Sequence, residues 1–367
     1  MDNKTNHIVW TDDQIADFRQ TLLAWYDAEK RDLPWRRDQD PYHVMVSEIM
    51  LQQTQVQTVI PYYERFLTAF PTVQALADAP EAQVLKAWEG LGYYSRARNL
   101  QKAAQQVTHE RGGEWPRTAA GLSELRGIGP YTAGAIASIA YGEAEPAIDG
   151  NAFRVFARLL CIPDDITKPK TRQVFDRVIR RIIDPERPGD FNQAIMDLGS
   201  SYMAAKNPDP AHSPVARFDA SYITDHVLDY PVKTKKPRPV PVDYFAIAVH
   251  SEAGWLMTPR PADGLLGGML MWPLIQKEGL VDIAASSDVA AANAVLSAAL
   301  GTQLQLLDAG VPIVKHTFTH RQWRLQILRA DVQAFTPQDS DYQWADAATL
   351  AANSLPTVQK KLFRALE

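Results

Sequence analysis

The sequence predicts a multidomain protein in which an all-α domain precedes an α+β domain. Residues 1–228 read as apolar helical segments separated by prolines and glycines, with almost no strand-like alternation. From residue 243 onward, short β-rich runs alternate with turn signals, and two helical patches lie near 288–300 and 356–366. A chain of 367 residues is also longer than one compact core usually accommodates, so two domains are expected.

The segment 229–242 lies between the helical part and the β-rich part of the sequence. It carries four prolines and four basic residues and shows no helical period, which is typical of a stiff, exposed linker. The predicted boundaries are therefore 1–228, a basic linker at 229–242, and 243–367.

Composition limits the kind of protein. With 46% hydrophobic and 22% charged residues, no apolar run of about 18 residues and no leader-like start, neither a membrane span nor secretion is expected. The single cysteine, Cys161, excludes an internal disulfide and favours a cytoplasmic location. The net charge of −5 by itself argues against a partner as acidic as DNA.

The run Leu125-Arg126-Gly127-Ile128-Gly129-Pro130-Tyr131-Thr132 predicts a helical hairpin between about 120 and 141. Two glycines allow a tight turn and close approach to another surface, and Pro130 opens a helix whose free N–H groups can bind a phosphate. The alternative is a plain pair of helices joined by a glycine turn.

Glu48 is the first candidate for chemistry. It is the only charged residue between Asp40 and Glu64, on a helix predicted to start at Asp40-Pro41. A carboxyl group in apolar surroundings has a raised pKa, which suits a proton donor near neutrality. The alternative is a solvated residue or a structural ion pair.

Asp149 is the second candidate. Asp-Gly-Asn before an apolar helix is also how an ordinary N-cap reads. Because a helix N-terminus favours an ionised carboxylate, we expect Asp149 to have a low pKa and Glu48 a high one. Such a pair is of the kind that cleaves glycosidic bonds.

A third set consists of uncharged groups suited to entering a stack of bases: Gln52-Gln53-Thr54 and the glycine-framed turn at 90–96 with two tyrosines, Tyr93 and Tyr94. The alternative is ordinary surface or core.

These features together resemble the adenine DNA glycosylases of the MutY family, in the helix-hairpin-helix glycosylase superfamily. The similar segments, in order along nearly the whole chain, are LPWR (33–36), PYHVMVSEIMLQQTQVQTVIPYYERF (41–66), AWEGLGYYSRARNL (87–100), LRGIGPYTAGAI (125–136), AIDGNAFRV (147–155), FNQAIMDLG (191–199), GLLGGMLMWPL (264–274) and HTFTH (316–320).

The resemblance implies base excision repair of double-stranded DNA that holds adenine opposite 8-oxoguanine or guanine. The enzyme flips the adenine out of the helix and hydrolyses its N-glycosidic bond. Glu48 matches the proton donor, Asp149 the stabiliser of the sugar cation, and Tyr131 and Asn151 the residues that hold this aspartate and the sugar in place. A monomeric, nucleoid-associated protein is expected.

The resemblance also assigns contacts to DNA and to the bases. The candidates are Trp35, Arg36, Leu51, Gln53, Tyr93, Gly127, Gly129 and Thr132 in the first domain, and Phe318, Thr319 and His320 in the second. A local basic face is expected from Arg96, Arg98, Lys102 and the lysines of the linker.

According to the resemblance, the residue at position 131 distinguishes enzymes that also cleave the DNA strand from enzymes that only remove the base. Relatives such as endonuclease III carry there a lysine that forms a Schiff base and nicks the strand. Because tyrosine has no amine, a monofunctional enzyme that leaves an abasic site is expected. The competing hypotheses are an endonuclease III-like glycosylase and lyase, a catalytically silent DNA-damage-binding protein, and a Nudix hydrolase of free nucleotides.

The second domain resembles the Nudix-like half of the same family, which reads 8-oxoguanine through a loop, here Phe318-Thr319-His320. Thr319 stands where a serine is usual. The acidic Nudix box is missing, so metal-dependent pyrophosphohydrolysis is not expected.

Most members of the family hold an iron–sulfur cluster with four cysteines after the catalytic helices. The corresponding positions, in a loop at about 200–220, are Met203, Pro210, Ser213 and Asp219. Because these groups cannot hold a cluster, no metal and no other cofactor is expected.

Overall fold

The structure is a computed structural model that describes residues 7–234, 237–280 and 286–367. The all-α character of the first part is confirmed, since the regular elements of residues 7–234 are all helical. None of the described helices is long and apolar enough to cross a membrane. The α-helices are α1 (Asp12–Glu29), α2 (Pro41–Leu51), α3 (Val56–Ala69), α4 (Val73–Asp78), α5 (Glu81–Ala87), α6 (Ser95–Gln105), α7 (Ala119–Leu122), α8 (Pro130–Tyr141), α9 (Gly150–Leu160), α10 (Thr171–Ile182), α11 (Pro188–Ser200) and α12 (Ala220–Ile223).

Four of these helices enclose one hydrophobic core. Apolar residues spaced at three and four positions give α1, α9, α10 and α11 each a buried face. Phe18, Phe156, Phe175 and Phe191 lie fully buried at the centre. This core supports the N-terminus of α9, where Asp149 stands.

Two glycines allow the backbones around α8 to approach closely. A Cβ atom on Gly134 would lie 2.4 Å from the carbonyl oxygen of Pro146, in the segment that leads to Asp149. A Cβ on Gly189 of α11 would lie 2.8 Å from the carbonyl oxygen of Ser138. Both α11 and the segment before α9 are therefore held directly against α8, which also packs on α2.

The predicted hairpin is the α7–α8 connection. Gly127 has φ +77°, and its missing Cβ leaves room for Asn99, whose Cβ would otherwise be 2.5 Å away. Gly129 is the N-cap of α8, and nothing within 4 Å would meet a side chain there. The first glycine is therefore required for the turn, whereas the second leaves an open surface at the helix N-terminus.

The second part is built on a mixed sheet. Among the described residues its strands are β1 (Val240–Ser251), β2 (Gly254–Pro259), β3 (Leu270–Met271), β4 (Leu274–Gln276), β5 (Leu307–Asp308), β6 (Val314–Thr317), β7 (Arg321–Asp331) and β8 (Gln343–Ala345). The central strands β1 and β7 are parallel, from Val240 opposite Arg321 to His250 opposite Asp331, and the other pairs are antiparallel.

Helices cover both faces of this sheet. The helix α13 (Asp288–Leu300) packs on one face through Leu296 and Leu300, and α15 (Thr357–Leu366) packs on the other through Val358 and Leu362. A short helix α14 (Ala347–Ala352) precedes α15. The two predicted helical patches correspond to α13 and α15, and the expected α+β class is confirmed.

The chain forms two compact units, Met1–Ala79 with Arg98–Lys235, and Pro80–Ala97 with Lys236–Glu367. The segment 80–97 belongs to the second unit because Glu89 forms an ion pair with Lys360 at 2.7 Å and accepts a hydrogen bond from the Leu355 amide. The strand β1 begins at Val240, within the segment 229–242 expected to be a linker. Lys235 and Lys236 of that segment lie outside the described residues.

We expect Gly134→Ala to destabilise the first unit by more than Gly129→Ala, which costs only the smaller preference for glycine over alanine at an N-cap. The added methyl group at Gly134 would clash with the Pro146 carbonyl, and such overpacking costs about 1–3 kcal/mol. Gly129 has φ −85° and free space around it, so alanine fits there. Thermal unfolding of the two variants would measure the difference, and equal melting temperatures would contradict the packing described for α8.

Candidate active site

Glu48 is buried on α2 and bonded to the hairpin helix. Asp40 caps α2 by accepting a hydrogen bond from the Tyr42 amide, and the helix then carries Glu48 against α8. Only 4% of Glu48 is exposed. The hydroxyl of Tyr131, in the first turn of α8, donates a hydrogen bond to its Oε2. The predicted burial of this carboxyl group is thus confirmed.

Burial raises the pKa of Glu48 to about 7, and the negative charge of Asp149 acts in the same direction. The hydrogen bond from Tyr131 and the positive charge of Arg36 lower it by less. At neutral pH a large fraction of Glu48 is therefore protonated. Since Oε2 is engaged by Tyr131, Oε1 is the oxygen that is free to carry and to donate the proton.

Asp149 is the N-cap of α9, as the sequence predicts. Its Oδ1 accepts a hydrogen bond from the Ala152 amide at 2.7 Å, and its Oδ2 accepts one from the Asn151 side chain at 2.7 Å. The expectation of a lowered pKa is wrong in direction. Burial raises the pKa of Asp149 above its usual value, and the hydrogen bonds from Ala152 and Asn151 offset only part of that effect.

Asn151 is held by a residue that the sequence did not single out. Arg154, one turn further along α9, donates to the side-chain oxygen of Asn151 at 2.6 Å and to the carbonyl oxygens of Gly199 and Met203, both at 2.7 Å. With its oxygen held by Arg154, Asn151 must turn its NH₂ group toward Asp149. The spacing Asn-x-x-Arg on one helix face is the signal that could have revealed this contact.

Glu48 and Asp149 line one cavity of about 530 Å³. Eight of the predicted site residues lie in its lining: Trp35, Arg36, Glu48, Leu51, Gln53, Tyr131, Asp149 and Asn151. Sequence reasoning missed several further lining residues, among them Arg31, Gln193 and Met196. Gln193 and Met196 are spaced by three residues on α11, so they share a face that only the packing of α11 directs toward Glu48.

Asp197 on α11 orients the arginines of the cavity. It accepts hydrogen bonds from Arg36 at 2.7 and 3.0 Å and also from Arg31. Burial tends to raise the pKa of Asp197, but the two guanidinium groups outweigh it and hold that pKa below its usual value. The ionised Asp197 therefore keeps Arg36 beside the cavity.

Gln53 and Tyr93, the residues expected to intrude between bases, share an uncommon backbone conformation. Gln53 has φ +59° and Tyr93 has φ +47°, in the left-handed region that few residues other than glycine adopt. Gln53 is exposed at the cavity rim. Tyr93 belongs to the second unit and is 48% exposed.

The hairpin contributes an exposed turn and a buried helix face. Gly127 and Gly129 are exposed, whereas Thr132 is 2% exposed and its hydroxyl accepts a hydrogen bond from Gln52 at 3.4 Å. The Thr132 hydroxyl therefore faces the protein interior. The glycine turn and Pro130 at the start of α8 are exposed and can meet an outside partner.

Arg96 does not belong to an exposed basic face, contrary to expectation. It is 8% exposed and donates hydrogen bonds to the carbonyl oxygens of Leu91 and Gly92, so it braces the turn that carries Tyr93. Lys102 is exposed and Arg98 is half-buried.

In the second unit, the loop expected to recognise 8-oxoguanine, Phe318-Thr319-His320, connects β6 to β7. The ring of Phe318 packs at 4.7 Å against both Trp323 and His316, which anchors the loop to the core of the sheet. Thr319 and His320 are exposed at its tip. Phe318 therefore acts as the anchor of the loop, and its two neighbours are presented to the outside.

The four positions expected to replace cluster ligands are packed into the fold. Met203, Ser213 and Asp219 are buried and Pro210 is half-buried. Asp219 accepts hydrogen bonds from the Ser221 hydroxyl at 2.7 Å and from the Tyr222 amide at 3.1 Å, which caps α12. The described residues contain no group of three or more histidine, cysteine or acidic side chains placed to hold a metal ion.

Two domain families and several whole proteins are similar to this chain. Residues 46–181 match the HhH-GPD superfamily of base excision DNA repair proteins, and residues 244–365 match the NUDIX domain. The adenine DNA glycosylase of Rattus norvegicus is 34% identical over 96% of this chain and 78% of its own length. The adenine DNA glycosylase of Homo sapiens is 34% identical over 96% of this chain and 74% of its own length.

The chain belongs to the adenine DNA glycosylase family. The resemblance to the MutY family is thereby confirmed, and with it the enzyme class, a DNA glycosylase of base excision repair.

Solved structures of a DNA glycosylase and of endonuclease III are similar to a little over half of this chain. A thermostable thymine-DNA glycosylase has a TM-score of 0.52 and 23% identity, covering 58% of this chain and 98% of the other. Endonuclease III in a non-covalent complex with DNA has a TM-score of 0.50 and 20% identity, covering 59% and 99%. At such identities the likeness concerns the fold alone.

We expect Glu48→Gln to stabilise this family member above neutral pH. Because burial raises the pKa of Glu48 from 4.5 to about 7, its ionised form is less favourable in the folded than in the unfolded chain. The stabilisation by glutamine should be absent below pH 4.5, grow between pH 4.5 and 7, and stay constant above. Thermal unfolding as a function of pH would measure it.

The matched control for this stability measurement is Glu64→Gln, on the exposed surface of α3. This variant should follow the wild type across the whole pH range. A Glu48→Gln protein that is less stable than the wild type at pH 8 would contradict the assigned cost of the buried charge.

Proposed function

We propose that this family member removes adenine that lies opposite 8-oxoguanine or guanine in double-stranded DNA. It hydrolyses the N-glycosidic bond of the flipped nucleotide and leaves an abasic site. The observation that carries the proposal is a pair of carboxyl groups, the buried Glu48 and the half-buried Asp149, lining one cavity with Tyr131 bonded to the first of them. The names of the 34% identical relatives support adenine as the base.

Glu48 supplies the proton for the departing base. With a pKa of about 7 it is partly protonated under physiological conditions, and the resemblance to the family indicates N7 of adenine as the acceptor. Protonation makes the base a neutral leaving group, so the bond between its nitrogen and the sugar can break without forming an anion. The carboxylate that remains can then accept a proton from the attacking water.

Asp149 stabilises the positive charge that develops on the sugar. Its carboxylate is positioned by the Ala152 amide and the Asn151 side chain, so it does not need to reorganise when the charge appears. Although burial raises its pKa, Asp149 only has to remain ionised at neutral pH. In this arrangement one carboxyl group acts as an acid while its neighbour acts as an anion.

The cavity also supports a monofunctional reaction. A lyase step needs an amine that can attack the sugar and form a Schiff base. None of the described residues that line the cavity is a lysine, and the helix position next to Glu48 is occupied by the phenol of Tyr131.

DNA binding is proposed to use neutral groups more than net charge. The exposed glycine turn with the α8 N-terminus can bind a phosphate through backbone N–H groups. Thr319 and His320 are free to contact the base opposite adenine. Such contacts are compatible with the net charge of −5. A monomer in the cytoplasm, at the nucleoid, completes the proposal, and the single cysteine fits a reducing compartment.

We also propose that this family member holds no iron–sulfur cluster. A thioether, a proline ring, a hydroxyl and a carboxylate at positions 203, 210, 213 and 219 are not the thiolates that such a cluster requires. Buried polar contacts stabilise the loop at about 200–220 instead. Arg158, 2% exposed, donates to the carbonyl oxygens of Ala204, Val227 and Tyr230 and thereby ties the loop to α9.

The decisive experiment is a single-turnover assay on duplex DNA that contains adenine opposite 8-oxoguanine. Glu48→Gln should lose at least about 100-fold in the rate of base release, the usual contribution of a positioned general acid. Glu64→Gln, the same change on the exposed surface of α3, should react at the wild-type rate. Equal rates for Glu48→Gln and the wild type would remove Glu48 from the mechanism.

The same assay distinguishes the competing hypotheses. Trapping of a covalent protein–DNA adduct with borohydride would indicate a lyase. Specific binding without base release by the wild type would indicate a silent damage-binding protein, and turnover of 8-oxo-dGTP would indicate a Nudix hydrolase.

The pH dependence of the single-turnover rate should follow the two carboxyl groups. Since the reactive form of Glu48 is protonated, the rate should fall above pH 7. Tyr131→Phe removes a hydrogen bond that lowers the pKa of Glu48, so the falling limb should move to higher pH. Tyr222→Phe, at an exposed tyrosine, is the control. A shift of the limb to lower pH in Tyr131→Phe would contradict the role given to this hydrogen bond.

The cluster-free proposal predicts that purified protein contains no iron. Metal analysis should find none, and the visible spectrum should lack the broad absorption of an iron–sulfur cluster. Stoichiometric iron in protein purified under anaerobic conditions would show that other ligands hold a cluster.

A further inference from the structure

A second cleft lies behind the cavity that holds Glu48 and Asp149. It has a volume of about 880 Å³ and is bordered by the C-terminal ends of α1 and α8 and by the N-terminal turn of α11. Five residues line both spaces: Arg31, Trp35, Arg36, Ile139 and Gln193. These five side chains form a wall, one residue thick, between the catalytic cavity and what we call the rear cleft.

The side chains of the wall differ in how firmly hydrogen bonds hold them. The side chain of Arg36 is only 10% exposed and is held by two hydrogen bonds to Asp197. That of Arg31 is 40% exposed and also donates two hydrogen bonds to Asp197. The Gln193 side chain makes no hydrogen bond to the described residues, and Ile139 offers only an apolar surface. Gln193 can therefore swing aside while the two arginines stay bonded to Asp197.

The position of the wall matters once the glycosidic bond is broken. The exposed lining residues Gln53, Gly150 and Ser200 mark one mouth of the catalytic cavity, and Asp149 lies beside them, whereas the exposed Arg31 stands where the cavity adjoins the rear cleft. The nucleotide must enter through this mouth because its sugar stays joined to the DNA. After cleavage the sugar still occupies the mouth, and the free base is enclosed between the sugar and the wall.

We propose that the rear cleft is a binding subsite and exit route for the free purine base. This inference rests on the proposed function and extends it to the step after cleavage. The base passes between Arg31 and Gln193 and leaves through the rear while the abasic strand remains bound at the front. Gln39, exposed on the far rim, carries an amide of the kind that pairs with the N6 and N7 atoms of adenine.

The alternative exit is the mouth itself, and the two routes differ in one measurable respect. Escape through the mouth requires the abasic DNA to leave or shift first, so the base and the DNA would be released together. Escape through the rear requires only a movement of the wall. Free adenine should therefore appear in solution while the abasic DNA is still bound.

The test compares two measurements on DNA with a radiolabelled adenine opposite 8-oxoguanine, with enzyme in excess. Total cleavage is measured after denaturation, and escaped adenine is measured by rapid ultrafiltration of the intact complex. In the wild type both should rise together, while gel retardation shows the abasic DNA still bound. Retention of adenine until the abasic DNA dissociates would overturn the proposal.

Blocking the rear cleft should separate the two measurements. Ala140, half-buried on α8, lines the rear cleft but not the catalytic cavity, so Ala140→Trp fills the cleft without touching the reacting groups. Cleavage should stay within about twofold of the wild type, whereas escape should slow by about tenfold or more as product release becomes limiting. Ala140→Ser is the control and should behave as the wild type.

A second variant protects the test against misfolding. Gln39→Trp places the same bulk on the exposed rim, where folding does not depend on the side chain, and it should also slow the escape of adenine. Unchanged escape in a folded Ala140→Trp or Gln39→Trp protein would overturn the exit route. Absence of cleavage by the wild type, even after denaturation, would instead refute the proposed function.

Discussion

The buried hydrogen bond between Tyr131 and Glu48 is the contact on which the rest of the site depends. It joins the two helices that the fold brings together, α2 and α8, at the point where the hairpin helix begins. The burial of Glu48 that accompanies this contact is unfavourable, since a carboxyl group out of contact with water is costly to ionise. That same cost raises the pKa of Glu48 to about 7 and makes it an acid at neutral pH.

Asp149 and Glu48 both carry a carboxyl group, but the hydrogen-bond donors around the two groups differ. Glu48 is buried and Asp149 half-buried, and burial raises the pKa of each. Glu48 has one donor, Tyr131, whereas Asp149 accepts hydrogen bonds at both oxygens from the start of its own helix. In the proposed mechanism, the larger number of donors around Asp149, supplied by helix α9, favours its ionised form over that of Glu48.

The support of Asp149 extends to the loop that lacks cluster ligands. Arg154 donates from one nitrogen to both the Asn151 side chain and the Gly199 carbonyl oxygen, and from its Nε to the Met203 carbonyl oxygen. Gly199 also lies against Asn151, where a Cβ atom would come within 2.6 Å. The path of the loop at 200–220 thus affects the orientation of Asn151.

The sequence by itself determined the fold class and most of the candidate site. Helical and strand periods, the Gly-Ile-Gly-Pro turn and an isolated Glu48 on an apolar helix are local signals, because each arises within a few residues. Residues 125–136 and 147–155 also carried a resemblance that the comparisons confirmed.

Only the tertiary structure decided what depends on distant residues. The contacts of Asp197 with Arg36 and of Arg154 with Met203 join positions 161 and 49 residues apart. The direction of the pKa shift of Asp149 was expected wrongly, because the sequence shows the helix N-terminus but not the burial that outweighs it. For the same reason Arg96 was expected on the surface, although the fold directs it inward to the Leu91 and Gly92 carbonyls. Burial is a property of the assembled chain, and electrostatics in the site follow from it.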